Sequence, residues 1–243
     1  MNRAPDHSAG FDWDALSGSY VGLAFSTEWK YGYPLVLESL GQLSGSRILD
    51  FGCGDGKFTQ VLGKLGAKAV GVDKSPKMVA AAKRRDGAST EFFEVINDDL
   101  SRFGPASFDA AVACWVFCAI PSKREIRDIA IEIDRVLDRE GTLSILENNP
   151  ASFGQRFESF QVTRPKGFRT GVRSVVETCL HGPGATKLAF RDVYWPTKTL
   201  SETVASATSL RLVSELESKP AFATGAKPSS SARPFRLAVF RKP

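Results

Sequence analysis

Three glycines at alternate positions, in Ile48-Leu49-Asp50-Phe51-Gly52-Cys53-Gly54-Asp55-Gly56, constrain this chain more than any other stretch. They follow an apolar run that reads as a buried strand, Arg47–Phe51, and precede Phe58, Val61, Leu62 and Leu65 at helical spacing. A strand that turns into a helix through glycine can adopt backbone angles closed to other residues and lets a ligand approach the main chain. The helix N-terminus then offers unpaired N–H groups to negative charge. Ligands of open α/β sheets bind at this carboxyl edge. Gly52, Gly54 and Gly56 are therefore expected in the floor of a pocket.

The alternation continues. Residues 69–73 read as a second strand, followed by Ser75 as helix cap, Pro76 in the first turn and a cationic end at Lys83-Arg84-Arg85. Residues 92–96 and 109–113 read as two further strands. Ser122 and Glu125 have capping-box spacing and open a helix with the stripe Ile126, Ile129, Ala130, Ile133, Val136 and Leu137, closed by Gly141. A fifth strand is expected at 142–146. Such regular alternation predicts an α/β fold, a doubly wound, Rossmann-like sheet.

The flanks differ. Residues 1–45 look helical and are rich in aromatics (Phe11, Trp13, Tyr20, Phe25, Trp29, Tyr31, Tyr33), which suggests a cap. Residues 46–150 form the core. Residues 151–195 are mixed and basic, with a turn at Gly182-Pro183-Gly184, and read as a long insertion acting as a lid over substrate. In 196–243 a helix over 199–207, with Thr199 and Glu202 at capping-box spacing, and strands at 210–216 and 235–240 complete the sheet. The stretch KPAFATGAKPSSSARP between those strands has loop composition.

A dinucleotide fingerprint would need glycine where this chain has Lys57. The segment ILDFGCGDG resembles instead the class I S-adenosylmethionine-dependent methyltransferases, as do the Asp73 ending VGVD, Asn97-Asp98-Asp99, SFDAAVA and IDRVLDREGTLSILE. The resemblance runs in order over residues 11–149 and, weakly, over PFRLAVFRKP. It implies seven strands with the last inserted antiparallel. It also implies S-adenosylmethionine as cofactor, leaving as S-adenosylhomocysteine. Gly52, Cys53, Gly54 and Gly56 would face its methionine portion and Asp50 would lie under the sulfonium. Asp73 would bind the ribose hydroxyls, with Lys74 and Met78 beside the adenine. Asp98 or Asp99 would accept from the adenine amino group and Leu100 would offer a backbone contact. Tyr20 and Cys114 complete the expected cofactor site.

For the acceptor, Tyr31, Trp115, Phe117, Tyr194 and Trp195 offer aromatic surface, which suits a small aromatic or heterocyclic molecule methylated on O or N. His181, in the insertion, is the candidate base, with Glu147 and Tyr194 behind it; His7 reads as part of a loose terminus. The chain has neither the Asn/Asp-Pro-Pro-aromatic motif of DNA amino-methyltransferases nor the aspartate with which catechol-type relatives hold magnesium. No metal is expected. Four cysteines without a CxxC pair and two histidines also argue against zinc. The absence of an apolar leader or span predicts a cytoplasmic protein with no membrane partner; separately, a monomer or homodimer is expected. A net charge of +5 and basic residues over 156–173 keep an RNA or protein methyltransferase open, but the charge is scattered and no nucleic-acid appendage is visible. An inactive cofactor-binding regulator is the other alternative.

Overall fold

The computed structural model describes residues 12–85, 90–182, 187–224 and 231–243. His7, Phe11 and the Pro183-Gly184 part of the expected turn lie outside them. The fold is built outward from strand β1, Arg47–Phe51, whose last four residues are buried. Parallel strands buried on both faces read as continuous apolar runs, as this one does. β2 (Lys68–Asp73) and β4 (Phe108–Cys114) pair with it in parallel on either side. Outside β2 lies β3 (Thr90–Glu94), and outside β4 lies β5 (Leu137–Asn148). The sheet's last strand in chain order, β12 (Phe235–Arg241), enters antiparallel between β5 and β9 (Arg211–Glu217), giving the order β3-β2-β1-β4-β5-β12-β9. This is the sheet expected from the resemblance.

Alternation along the strands divides two cores. Leu49, Phe51, Ala111, Ala113, Leu143 and Ile145 pack on one face with helix α5 (Lys123–Val136) and helix α6 (Thr197–Ala205). Ile48, Ala110 and Val112 pack on the other with α2 (Tyr33–Leu40) and α3 (Lys57–Lys64). The other α-helices among the described residues are α1 (Trp13–Val21) and α4 (Pro76–Lys83), with a π-helical turn at Glu28–Gly32 and 3-10 turns at Phe117–Ala119 and Pro150–Ser152. Ser75 caps α4 by accepting from the Met78 N–H.

Several local expectations fail for identifiable reasons. Neither Ser122 nor Thr199 makes a capping bond: Ser122 precedes α5 without one, and Thr199 lies inside α6, which starts after Pro196. The break after α5 comes at Leu137, where β5 begins at once, and Glu140 rather than Gly141 takes the left-handed angle, φ 61°. The third strand sits two residues earlier than expected. The insertion is ordered as an antiparallel sheet of β6 (Phe160–Val162), β7 (Ser174–His181) and β8 (Lys187–Tyr194). Within the expected loop, β10 (Ala221–Phe222) pairs with β11 (Ser231–Ala232).

The N-terminal segment is tied to the inserted sheet by buried polar bonds. The Thr27 N–H donates to Ser159 Oγ (2.9 Å), the Ser159 N–H donates to Thr27 Oγ1 (3.3 Å), and the Ser159 hydroxyl donates to Glu28 Oε2. Ser159→Ala strips partners from a buried amide and a buried carboxyl. It should lower the unfolding free energy by about 1–3 kcal/mol in urea titrations; an unchanged midpoint would remove this tie as a source of stability.

Candidate functional site

The carboxyl edge of β1, β2 and β4 opens into a pocket of about 1110 Å³, its open mouth included. The glycine turn forms its floor. Gly52 has φ +73°, and a Cβ there would lie 2.4 Å from Val116 Cγ2, so no other residue fits without displacing the β4 edge. Gly56 has φ +76° and abuts Phe92 and Ala82, which lets α3 start close against the sheet. The turn is bonded to the end of β2. Gly52 and Cys53 N–H groups both donate to Val72 O, and Gly54 N–H donates to Asp73 Oδ2 at 2.8 Å. Asp73 Oδ1 accepts from the Ser75 N–H at 2.9 Å. Each oxygen therefore carries one backbone donor and keeps a lone pair for a ligand. Burial raises the Asp73 pKa, and these two bonds pull it back.

The pocket gathers many of the expected residues: Tyr20, Gly52, Gly54, Asp73, Lys74, Met78, Asp98, Cys114 and Trp115 all line it. Asp98 (φ 58°) and Trp115 (φ 56°) hold left-handed backbone angles at its rim, the kind of strain that concentrates at functional edges. Asp98 and Asp99 separate cleanly. Asp98 lines the pocket, whereas Asp99 is exposed and accepts from the Ser101 N–H and hydroxyl.

Other expected residues lie elsewhere. Asp50 shares the face of Ile48 and so points under α3, where it accepts from the Thr59 hydroxyl at 2.6 Å. Cys53 and Gly56 sit within the turn, away from the pocket surface, and Leu100 is core. Phe117 is fully buried. Trp195 donates its indole N–H to Ile120 O, and the Tyr194 hydroxyl donates to Thr170 O. Both line a separate small cavity with Glu147 and Arg236. Tyr31 is half-buried outside the pocket. His181 ends β7, also outside it; burial, then Arg156 and Lys187, lower its pKa. Glu147 accepts from the Cys118 N–H at 3.1 Å.

Further residues complete the lining, among them Trp13, Phe25 and Tyr33, which the sequence offered as aromatics of the N-terminal cap. Trp13, Phe25, Glu28 and Tyr33 come from the N-terminal segment, and Phe160, Thr178, Leu180, Phe190 and Asp192 from one face of the inserted sheet. One signal was available for Asp192: in Phe190-Arg191-Asp192-Val193-Tyr194 it falls on the apolar side of a strand's alternation. Among the described residues no cluster of three or more His, Cys, Asp or Glu could hold a metal ion. No helix among them is long and apolar enough to cross a membrane.

A seven-stranded sheet with a reversed strand and a glycine-floored pocket at its carboxyl edge defines a Rossmann-like class of protein. The methyltransferase domain family matches residues 49–145. Over these residues the chain is similar to the class I S-adenosylmethionine-dependent methyltransferases. A ubiquinone biosynthesis O-methyltransferase of Xanthomonas campestris is 30% identical over 116 residues, covering 46% of this chain and 47% of that protein. A demethylmenaquinone methyltransferase of Tropheryma whipplei is 33% identical over 116 residues, 47% of each. The chain thus spans about half the length of these curated relatives. Among solved structures, an S-adenosylmethionine-dependent methyltransferase from Mesorhizobium loti superposes with a TM-score of 0.58 at 18% identity, covering 89% of this chain and 98% of that one. One from Methanosarcina mazei gives 0.58 at 20%, covering 85% and 96%. At these identities the likeness is one of fold.

Burial holds the carboxyls of Asp50, Glu28 and Asp192 at about 7 and that of Glu147 at about 8. In the unfolded chain the same groups titrate near about 4. Between those values the folded protein keeps protons that the unfolded chain has released, so stability falls as pH rises through this window. Asp50→Asn should make the unfolding free energy fall less steeply from about pH 4 to 7. Urea titrations across that range that return the parental slope would count against the raised Asp50 pKa.

Proposed function

We propose that this chain transfers the methyl group of S-adenosylmethionine to an oxygen or nitrogen atom of a small aromatic or heterocyclic molecule. The observation that carries the reading is one continuous pocket in which Gly52, Gly54, Asp73, Lys74, Met78 and Asp98 meet the aromatic rings of Tyr20, Tyr33, Trp115, Phe160 and Phe190. The first group suits the donor. Gly52 and Gly54 let the main chain approach its methionine portion. Asp73, oriented by two backbone bonds with lone pairs to spare, accepts from ribose hydroxyls. Asp98 accepts from the adenine amino group, with Met78 beneath the ring. The bound donor supplies an electrophilic methyl carbon on a sulfonium.

The second group suits the acceptor. Stacking rings hold a planar molecule and exclude water, so the chain's main contribution is to set nucleophile and methyl carbon in line at about 3–3.5 Å. The N-terminal segment acts as a cap and the inserted sheet as a cover over this half of the pocket. His181 takes no part in this reading, since it stands outside the pocket. The quinone-pathway names of the relatives support a small-molecule acceptor.

Calorimetry with S-adenosylmethionine and S-adenosylhomocysteine tests the proposal, and binding by neither would end it. Asp73→Ala should weaken both ligands by about tenfold or more through loss of charged hydrogen bonds. Incubation with labelled donor and a metabolite extract, read by mass spectrometry, should show label on a small molecule.

A further inference from the structure

Two buried carboxyls line the pocket without a cation to match them. Asp192 is 3% exposed; its Oδ2 accepts from the Thr178 hydroxyl, and its Oδ1 has no hydrogen-bond partner. Glu28 is 4% exposed and accepts from Ser159. Among the described residues no Lys, Arg or His acts on either: Glu28 feels burial, Ser159 and its own backbone, and Asp192 feels burial, Thr178 and Cys118. Outside the pocket the buried acids divide: Asp50 has only Thr59, whereas two others have a counter-charge. Buried Asp55 has Lys57 at 3.0 Å and Arg85 at 2.7 Å, and Glu147 has Arg236 nearby.

The imbalance extends to the whole pocket. Among the described residues five acids, Glu28, Asp73, Asp98, Glu125 and Asp192, line it against the single cation Lys74, in a chain whose net charge is +5. Lys74 acts on Asp73, Asp98 and Glu125, which leaves Glu28 and Asp192 without a balancing charge. A carboxylate in apolar surroundings is costly unless a ligand pairs with it. A cation with N–H donors satisfies both the charge and the orphaned Oδ1. The aromatic rings around the pocket add cation–π attraction, whereas a carboxylate or phenolate ligand would meet like charge.

We infer that the acceptor half of this pocket recognises a molecule with a protonated amine on an aromatic or other apolar frame, its ammonium held by Asp192 and Glu28. The inference rests on the methyltransferase reading for the word acceptor, but the ammonium site stands on its own geometry. Both acids lie outside residues 49–145, so the segment matched by the methyltransferase family does not carry this feature. Burial keeps the two carboxyls near about 7, so each can ionise when an ammonium arrives at neutral pH.

Matched probes test it on the full chain: phenethylamine, phenylethanol and phenylacetate, and tryptamine, tryptophol and indole-3-acetate. Dissociation constants are measured by calorimetry with and without saturating S-adenosylhomocysteine. In at least one set the amine should bind about tenfold or more tighter than the alcohol, with the carboxylate weakest, as expected for a paired, desolvated charge. Asp192→Asn and Glu28→Gln should each cut that preference about fivefold or more while leaving S-adenosylhomocysteine affinity within about twofold. The retained affinity also certifies that the variants fold. Amines that bind no tighter than alcohols in both sets, or no binding by any probe, would overturn the inference. Failure of S-adenosylhomocysteine to bind would instead fell the methyltransferase reading, with the amine preference still readable from the unliganded protein.

Discussion

The bonds that fasten the glycine turn to the end of β2 are the constraint on which the pocket depends. Two adjacent amides, of Gly52 and Cys53, converge on the Val72 carbonyl, and the next turn amide, of Gly54, is taken by Asp73. The turn leaves β1, reaches sideways to the neighbouring strand and only then enters α3. A side chain at position 52 would strike Val116, so the same geometry that admits a ligand to the backbone also sets the spacing between the β1 and β4 edges. Asp73 is aimed by this arrangement instead of being left to rotate in solvent. A carboxylate so held can accept from a ligand with little loss of conformational freedom.

The pocket's two halves are made by different means. The core half follows from strand order, because β1, β2 and β4 are parallel neighbours and end at one edge. The other half is assembled from chain segments more than a hundred residues apart, the N-terminal segment and the inserted sheet, joined through Thr27, Glu28 and Ser159. The Ser75 hydroxyl also bonds Asp14, which fastens α1 to the start of α4 beside the pocket. Acids buried in this second half lack the cations that Asp55 and Glu147 have, and Asp192 keeps an oxygen with no hydrogen-bond partner.

The sheet was legible because apolar period and turn chemistry report local geometry, and β1 begins and ends where the pattern says. The insertion was not legible as a sheet: β7 and β8 carry Glu177 and Arg191 outward and Thr178 and Asp192 inward, so polar residues interrupt both faces. Spacing alone also promised capping boxes at Ser122 and Thr199 that do not form, since a cap depends on backbone angles as well as residue type. Asp73 ends β2, Trp115 follows β4 and Asp98 lies in the turn after β3, so strand position alone pointed to their place on the pocket's edge. Phe117, Tyr194 and Trp195 were misjudged because an aromatic ring at such an edge can turn into the core as readily as into a cavity.

The order of residues by itself determined the α/β class, the glycine turn, the acid at the end of the second strand and the likeness to the methyltransferase domain family over residues 49–145. These are local or nearest-neighbour properties, written in spacing. Tertiary structure alone decided that Asp50 turns beneath α3, that His181 stands apart from the pocket, and that Glu28 and Asp192 share it. Side-chain direction on a strand flips with each residue, and the meeting of distant segments depends on packing that spacing does not encode.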